Sequence, residues 1–277
     1  TRMQTMSNVQ EVLARGAHLI AVATEGDEEI AKIAARHPGN AAAFAAAAGI
    51  PEEVYNGGIR VIYDAAHAFG VRRKDGDRWR AACDYGDASI LSFHATKVFH
   101  TIEGGAAVCH DSRQREMLDD LKNYGIRDQE TCAWIGGNAK MSEFQAAMGI
   151  CNLRHIDEEI ARRKRVRDRY EEQLGDLDCI RIWRPRPEIM PNYAYFPVLF
   201  EENLRDRVWE ALRAEGIFAR KYFYPLTPDL QCYSGLDRGD TPVAGRCAAG
   251  ILTLPIYADL ELRDADRISS IVRRTVS

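Results

Sequence analysis

Hydrophobic and polar residues alternate along this chain in three kinds of pattern, and each predicts an element. Near the start, Ser7–Arg15 reads as a helix ended by Gly16, His18–Thr24 as extended, and Glu28–Ala34 as a second helix with Asp27 as its N-cap. Asn40 can cap an alanine-rich helix that Pro51 closes. Two apolar runs follow, Val61-Ile62-Tyr63 and the strand-like segment Ala88–Lys97, each read as a buried strand with a turn-rich linker between them. Between Met141 and Leu174 the apolar residues Phe144, Met148, Cys151, Ile156 and Ile160 recur at helical spacing, so one long helix is expected there. Beyond it the pattern predicts a strand over Asn192–Phe200, an amphipathic helix over Leu204–Ala214 stopped by Gly216, and a strand over Ile217–Tyr222. A helix over Pro242–Ala249 and a strand over Ile251–Leu254 complete the series. The expected class is α/β, with a large α/β domain and a small α+β C-terminal domain. The expected divisions are 1–39, 40–175 and 176–277.

Composition narrows the setting. A net charge of −4 gives no electrostatic case for a nucleic-acid or membrane partner. The seven cysteines are scattered, with no C-x-x-C pair, and read as reduced thiols of a cytoplasmic protein. The alanine-rich run is too short to span a bilayer, and no signal peptide is expected. Arg162-Arg163-Lys164-Arg165 lies among acids on a helix and reads as a solvated face.

The chemistry lies at the ends of the two apolar runs. The first ends in Asp64, with His67 three residues on; the second carries Ser92 and closes on Lys97, and Glu103-Gly104-Gly105 follows. An acid past one strand and a lysine past another suit a pyridoxal phosphate enzyme. The lysine holds the aldehyde as a Schiff base, and the acid keeps a proton on the pyridine nitrogen. The Gly-Gly pair reads as a tight backbone passage beside the cofactor. His94 and His100 flank Lys97 without acids or cysteines at ligand spacing, so no metal site is expected.

Together these residues resemble the sugar aminotransferases of the DegT/DnrJ/EryC1/StrS family, from about Arg60 to the C-terminus. The stretch Gly137-Asn138 to Gly149 resembles the family's second signature. The resemblance implies a fold-type-I pyridoxal phosphate transferase that moves an amino group, usually from glutamate, to a keto-sugar on a nucleoside diphosphate. Residue by residue, it implies Asp64 at the pyridine nitrogen, His67 beside the phenolic oxygen, Ser92 on the phosphate and Lys97 as the anchor. It further implies a homodimer in which Asn138 reaches the neighbour's cofactor phosphate. Lys221–Thr227 resembles the substrate-side loop, which nominates Tyr222 and Tyr224, although a histidine often stands in place of Thr227. Lysine at position 97 argues against the related dehydratases, where histidine replaces it.

Residues 6–34 instead resemble part of the isomerase domain of glutamine-fructose-6-phosphate transaminase. On this reading the large domain is N-terminally incomplete, since a family member begins with a further stretch. The remaining phosphate-loop candidate, Thr24–Glu29, carries carboxylates that repel an anion. Weak cofactor binding is therefore expected, and a catalytically impaired or non-catalytic truncated or fused chain is the alternative.

Overall fold

The structure is a computed structural model that describes residues 62–201, 203–235 and 241–277. The expected elements before Val61 lie outside the described residues. Those described separate into two compact units, one ending at His155 and the other comprising Ile156–Ser277.

In the first unit, β1 (Ile62–Asp64) pairs in parallel with β4 (Ala88–Ser92), which pairs antiparallel with β5 (Gly105–Cys109). The β1–β4 register sets Asp64 opposite Ile90, and Ala65 extends the pairing by donating to the Ile90 carbonyl at 2.9 Å. Ser89 and Leu91 of β4 are buried, whereas Ile90 is 46% exposed, so the strand alternates where a fully buried run was expected. Phe69, in the turn after β1, stacks on Phe99 at 4.2 Å between ring centroids, and Phe93 meets both rings edge-on.

The linker between the strands carries a hairpin that the apolar pattern did not predict. β2 (Arg72–Asp75) and β3 (Arg78–Ala81) pair across Gly76-Asp77, with Gly76 at φ 59°. Its strands are almost wholly charged, so alternation gave no sign of them, and the two-residue turn rests on Gly76 at its first position. α1 (Ser112–Leu121), capped by the Asp111 carboxylate, was also not anticipated. The expected long helix is two, α2 (Glu143–Leu153) and α3 (Ile156–Leu174). The Arg154 and His155 amides donate three residues back, to Cys151 and Asn152, which ends α2. Ile156 follows Leu153 by three residues, so the apolar spacing runs through the break and conceals it.

The second unit holds the extensive core. An antiparallel sheet is formed by β6 (Ile180–Ile182), β7 (Phe196–Phe200) and β8 (Ile251–Leu254), with β7 in the centre. Phe196, Val198 and Phe200 alternate inward against α3, α4 (Leu204–Ala214) and α6 (Leu262–Val276). α5 (Pro242–Gly250) leads into β8. The expected strand over Ile217–Tyr222 reduces to one bridge, in which Arg220 and Thr253 exchange amides at 3.1 and 2.7 Å. No helix among the described residues is long and apolar enough to cross a membrane.

Candidate active site

Parallel pairing of β1 with β4 brings the carboxyl ends of both strands to one edge, and with them Asp64 and Ser92. After Asp64 the chain turns at once, with the Asp64 carboxylate accepting from the Ala66 amide at 3.0 Å and Ala68 donating to Ala65 at 2.8 Å. That turn carries His67 to Lys97, whose Nζ lies 3.3 Å from Nδ1 and 3.2 Å from Nε2. The distances are nearly equal, so either ring nitrogen can accept from the amine if it lacks the proton. Partial burial of the imidazole, then the charge of Lys97, hold His67 below its ordinary pKa range, and Asp64 pulls the other way. Lys97 and His67 are thus brought into contact across thirty residues of sequence, with Asp64 close enough to act on the same ring.

Lys97 sits in the loop from β4 to β5. The Phe93 amide donates to Gly104 and the Thr101 amide to Phe93, each at 2.9 Å, which closes the loop at its base. Gly105 is required here by the sheet: a Cβ at this position would stand 2.8 Å from the Leu91 carbonyl oxygen. Gly105 therefore answers to packing on β4, while a Cβ at Gly104 would run into the Thr101 side chain.

Asn138 lies in the same unit on a different segment. The chain after α1 folds back so that Tyr124 donates to Gly137, Gly137 to Leu121 and Ala139 to Lys122. Asn138 is exposed, and among the described residues its carboxamide has no hydrogen-bond partner. Tyr222 and Tyr224 belong to the second unit. Tyr222 packs on Phe223 and Tyr195, and the Arg205 guanidinium lies over the Tyr224 ring at 4.7 Å. Burial, followed by the neighbouring Tyr222, pushes the Tyr195 hydroxyl up to about 12.

The pattern of apolar runs gave no weight to Thr96, Thr101 and Glu103, which shape the loop around Lys97. His94 Nδ1 lies 2.8 Å from Thr96 Oγ1, and Thr101 Oγ1 donates to the Glu103 carbonyl at 2.8 Å. The legible signal was His-x-Thr, a polar ring two residues before an amide it can accept from.

The set fits pyridoxal phosphate by its chemistry. It offers an amine for the aldehyde, a carboxylate for a protonated ring nitrogen and hydroxyls for a phosphate, all at one strand edge.

Comparison with known proteins agrees in sequence and in fold. Residues 33–273 match the DegT/DnrJ/EryC1/StrS aminotransferase family. The chain is 42% identical over 219 residues to a dTDP-4-amino-4,6-dideoxy-D-glucose transaminase of Shigella dysenteriae, covering 78% of this chain and 59% of that protein. Its identity to the enzyme of that name from Escherichia coli is 38% over 211 residues, covering 74% and 56%. The structure of DesI, solved in the presence of its TDP-sugar product, superposes with a TM-score of 0.71 at 34% identity, covering 86% of this chain and 59% of DesI. The chain thus spans less than two thirds of the length of these relatives.

Proposed function

The chain belongs to the DegT/DnrJ/EryC1/StrS aminotransferase family, with the fold-type-I architecture of its structural neighbours, and from that premise we propose that it is a pyridoxal phosphate-dependent sugar aminotransferase. It moves an amino group from an amino acid, glutamate on our reading, to the keto group of a nucleotide-linked deoxysugar. The observation that carries this is the meeting of Lys97 with His67 beside Asp64, at the carboxyl ends of two parallel strands. The nucleotide-linked substrate is supported by the names of the Shigella and Escherichia relatives and by the TDP-sugar product of DesI.

When bound, the cofactor supplies an electron sink for the substrate's α-carbon. Lys97 would anchor it through its amine, and the same amine would serve as the acid and base that moves a proton at the substrate's α-carbon. The Asp64 carboxylate holds a proton on the ring nitrogen, because an opposite charge in contact favours the charged form. His67 orients the phenolic oxygen. Ser92 holds the phosphate, joined by Asn138 from a second copy of the chain, so the working unit is a homodimer. Tyr222 and Tyr224 contact the sugar substrate. Activated sugars and glutamate are water-soluble, which suits a reaction in the cytoplasm.

Borohydride reduction of the protein loaded with pyridoxal phosphate tests the anchor. A phosphopyridoxyl mass on the peptide containing Lys97 is the expected result. Label spread evenly over surface lysines would remove the basis of the proposal.

A further inference from the structure

His94 is joined to both limbs of the loop that carries Lys97. On the outgoing limb its carbonyl accepts from the Lys97 amide at 2.9 Å, and its Nδ1 accepts from the Thr96 amide at 3.3 Å and lies 2.8 Å from Thr96 Oγ1. On the returning limb its Nε2 faces Glu103 Oε1 at 3.6 Å. That limb also holds Ile102 at φ 69°, a left-handed conformation that a β-branched residue keeps only where its surroundings over-determine it. Two further groups hold the same limb: buried Thr101, which donates to the Glu103 carbonyl, and Asn152, which donates to the His100 carbonyl at 2.9 Å.

We propose that His94 is a positioning residue for Lys97. Its imidazole bridges Thr96 to Glu103 and so fixes the short backbone segment from which the Lys97 amine reaches His67. The ring's hydrogen placement follows from the contacts. The Thr96 amide donates to Nδ1, which leaves the ring hydrogen to Nε2, within 3.6 Å of the Glu103 carboxylate. A histidine to which the sequence assigned no role thereby acquires a mechanical one. Its importance to the reaction rests on Lys97 being the anchor, but the bridge itself does not.

The test uses the whole chain without cofactor, and reads amide hydrogen exchange at residues 96–101. His94→Phe keeps a ring but removes both contacts, His94→Asn restores an acceptor near the Nδ1 position, and Glu103→Ala removes a partner that is largely exposed. Loss of ordinary hydrogen bonds shifts a local opening equilibrium by about tenfold, so His94→Phe should exchange about tenfold faster at the Thr96 and Lys97 amides. Glu103→Ala should show part of that effect, and His94→Asn should recover much of it. Borohydride labelling of Lys97 at fixed pyridoxal phosphate should slow in the same order. Unchanged exchange in both His94→Phe and Glu103→Ala overturns the bridge. If the phenylalanine variant does not fold, unchanged exchange in Glu103→Ala overturns it alone. Faster exchange with no Lys97 labelling even in the unsubstituted chain supports the bridge and rejects the anchor.

Discussion

At the scale of single residues, the proposed chemistry rests on three neighbouring side chains, Asp64, His67 and Lys97. If Asp64 pairs with the ring nitrogen, its charge counts for more than its shape, so Asp64→Asn should leave Lys97 able to take up the cofactor while turnover falls by at least ~100-fold. Near-normal turnover in that variant would rule out its pairing with the ring nitrogen. His67 gives a pH-dependent prediction. Its folded pKa lies below the unfolded value of about 6.5. The unfolded chain therefore binds the proton more readily, and whatever stability the neutral ring supports is present above pH ~6.5 and lost as pH falls below it. A proton NMR titration should find the His67 midpoint below the ordinary range. In Lys97→Met, where the neighbouring charge is gone, the midpoint should rise; a midpoint that stays put would mean that the 3.2 Å contact with Lys97 does not exist in solution.

Among the elements, α2 shows how a local signal sets a boundary that matters for the site. Ser142 accepts from the Gln145 amide, and Gln145 Oε1 accepts from the Ser142 amide at 2.8 Å, a reciprocal cap that starts the helix just after the Asn138 segment. Ser142→Ala removes one half of that box and should lower stability by about 1 kcal/mol, read from urea unfolding, with no large change in the slope. In the second unit, α6 is linked to α3 by Arg169 on Asp266 at 2.6 Å and to the turn just after α3 by Arg273 on Asp176 at 2.5 Å. These partners hold the Asp266 and Asp176 carboxyls below the usual range, while the pairs themselves stand at the surface. The apolar packing of Ile268, Ile271 and Val272 carries the attachment, because exposed ion pairs contribute little.

For the molecule as a whole, the placement of Asn138 has the largest consequence. Its carboxamide is exposed and unused within the described residues, although the backbone on either side of it is pinned to the end of α1. A fixed backbone holding an idle polar group suits a role toward a second copy of the chain. If sites are shared, mixing Lys97→Ala chains with Asn138→Ala chains places both defects in one site of each mixed dimer and none in the other. Activity should then reappear on mixing, toward half of the unsubstituted level in fully mixed dimers. No recovery in dimers shown to have exchanged would count against a shared site.

Much of this site was legible before the fold. The strand ending in Asp64 and the strand that carries Ser92 follow from short apolar runs and their bounding residues, and the family resemblance came from the residues around Asp64 and Lys97 together with the second signature at residues 137–149. The helix over Leu204–Ala214 and the strand Ile251–Leu254 were equally readable, since periodicity reports which face is buried. Local periodicity does not record which segments meet. The charged hairpin had no apolar alternation to announce it, and the break between α2 and α3 left the spacing intact. The contact of Lys97 with His67, the bridge through His94 and the packing need for Gly105 all join residues that neighbour one another only after β1 has paired with β4 and the loop has closed on Gly104. The sequence alone thus determined which chemical groups the chain carries, because residue identity and short-range spacing are written in it. The tertiary structure decided which of them touch, because hydrogen bonds and packing between distant segments exist only once the backbone has brought those segments together.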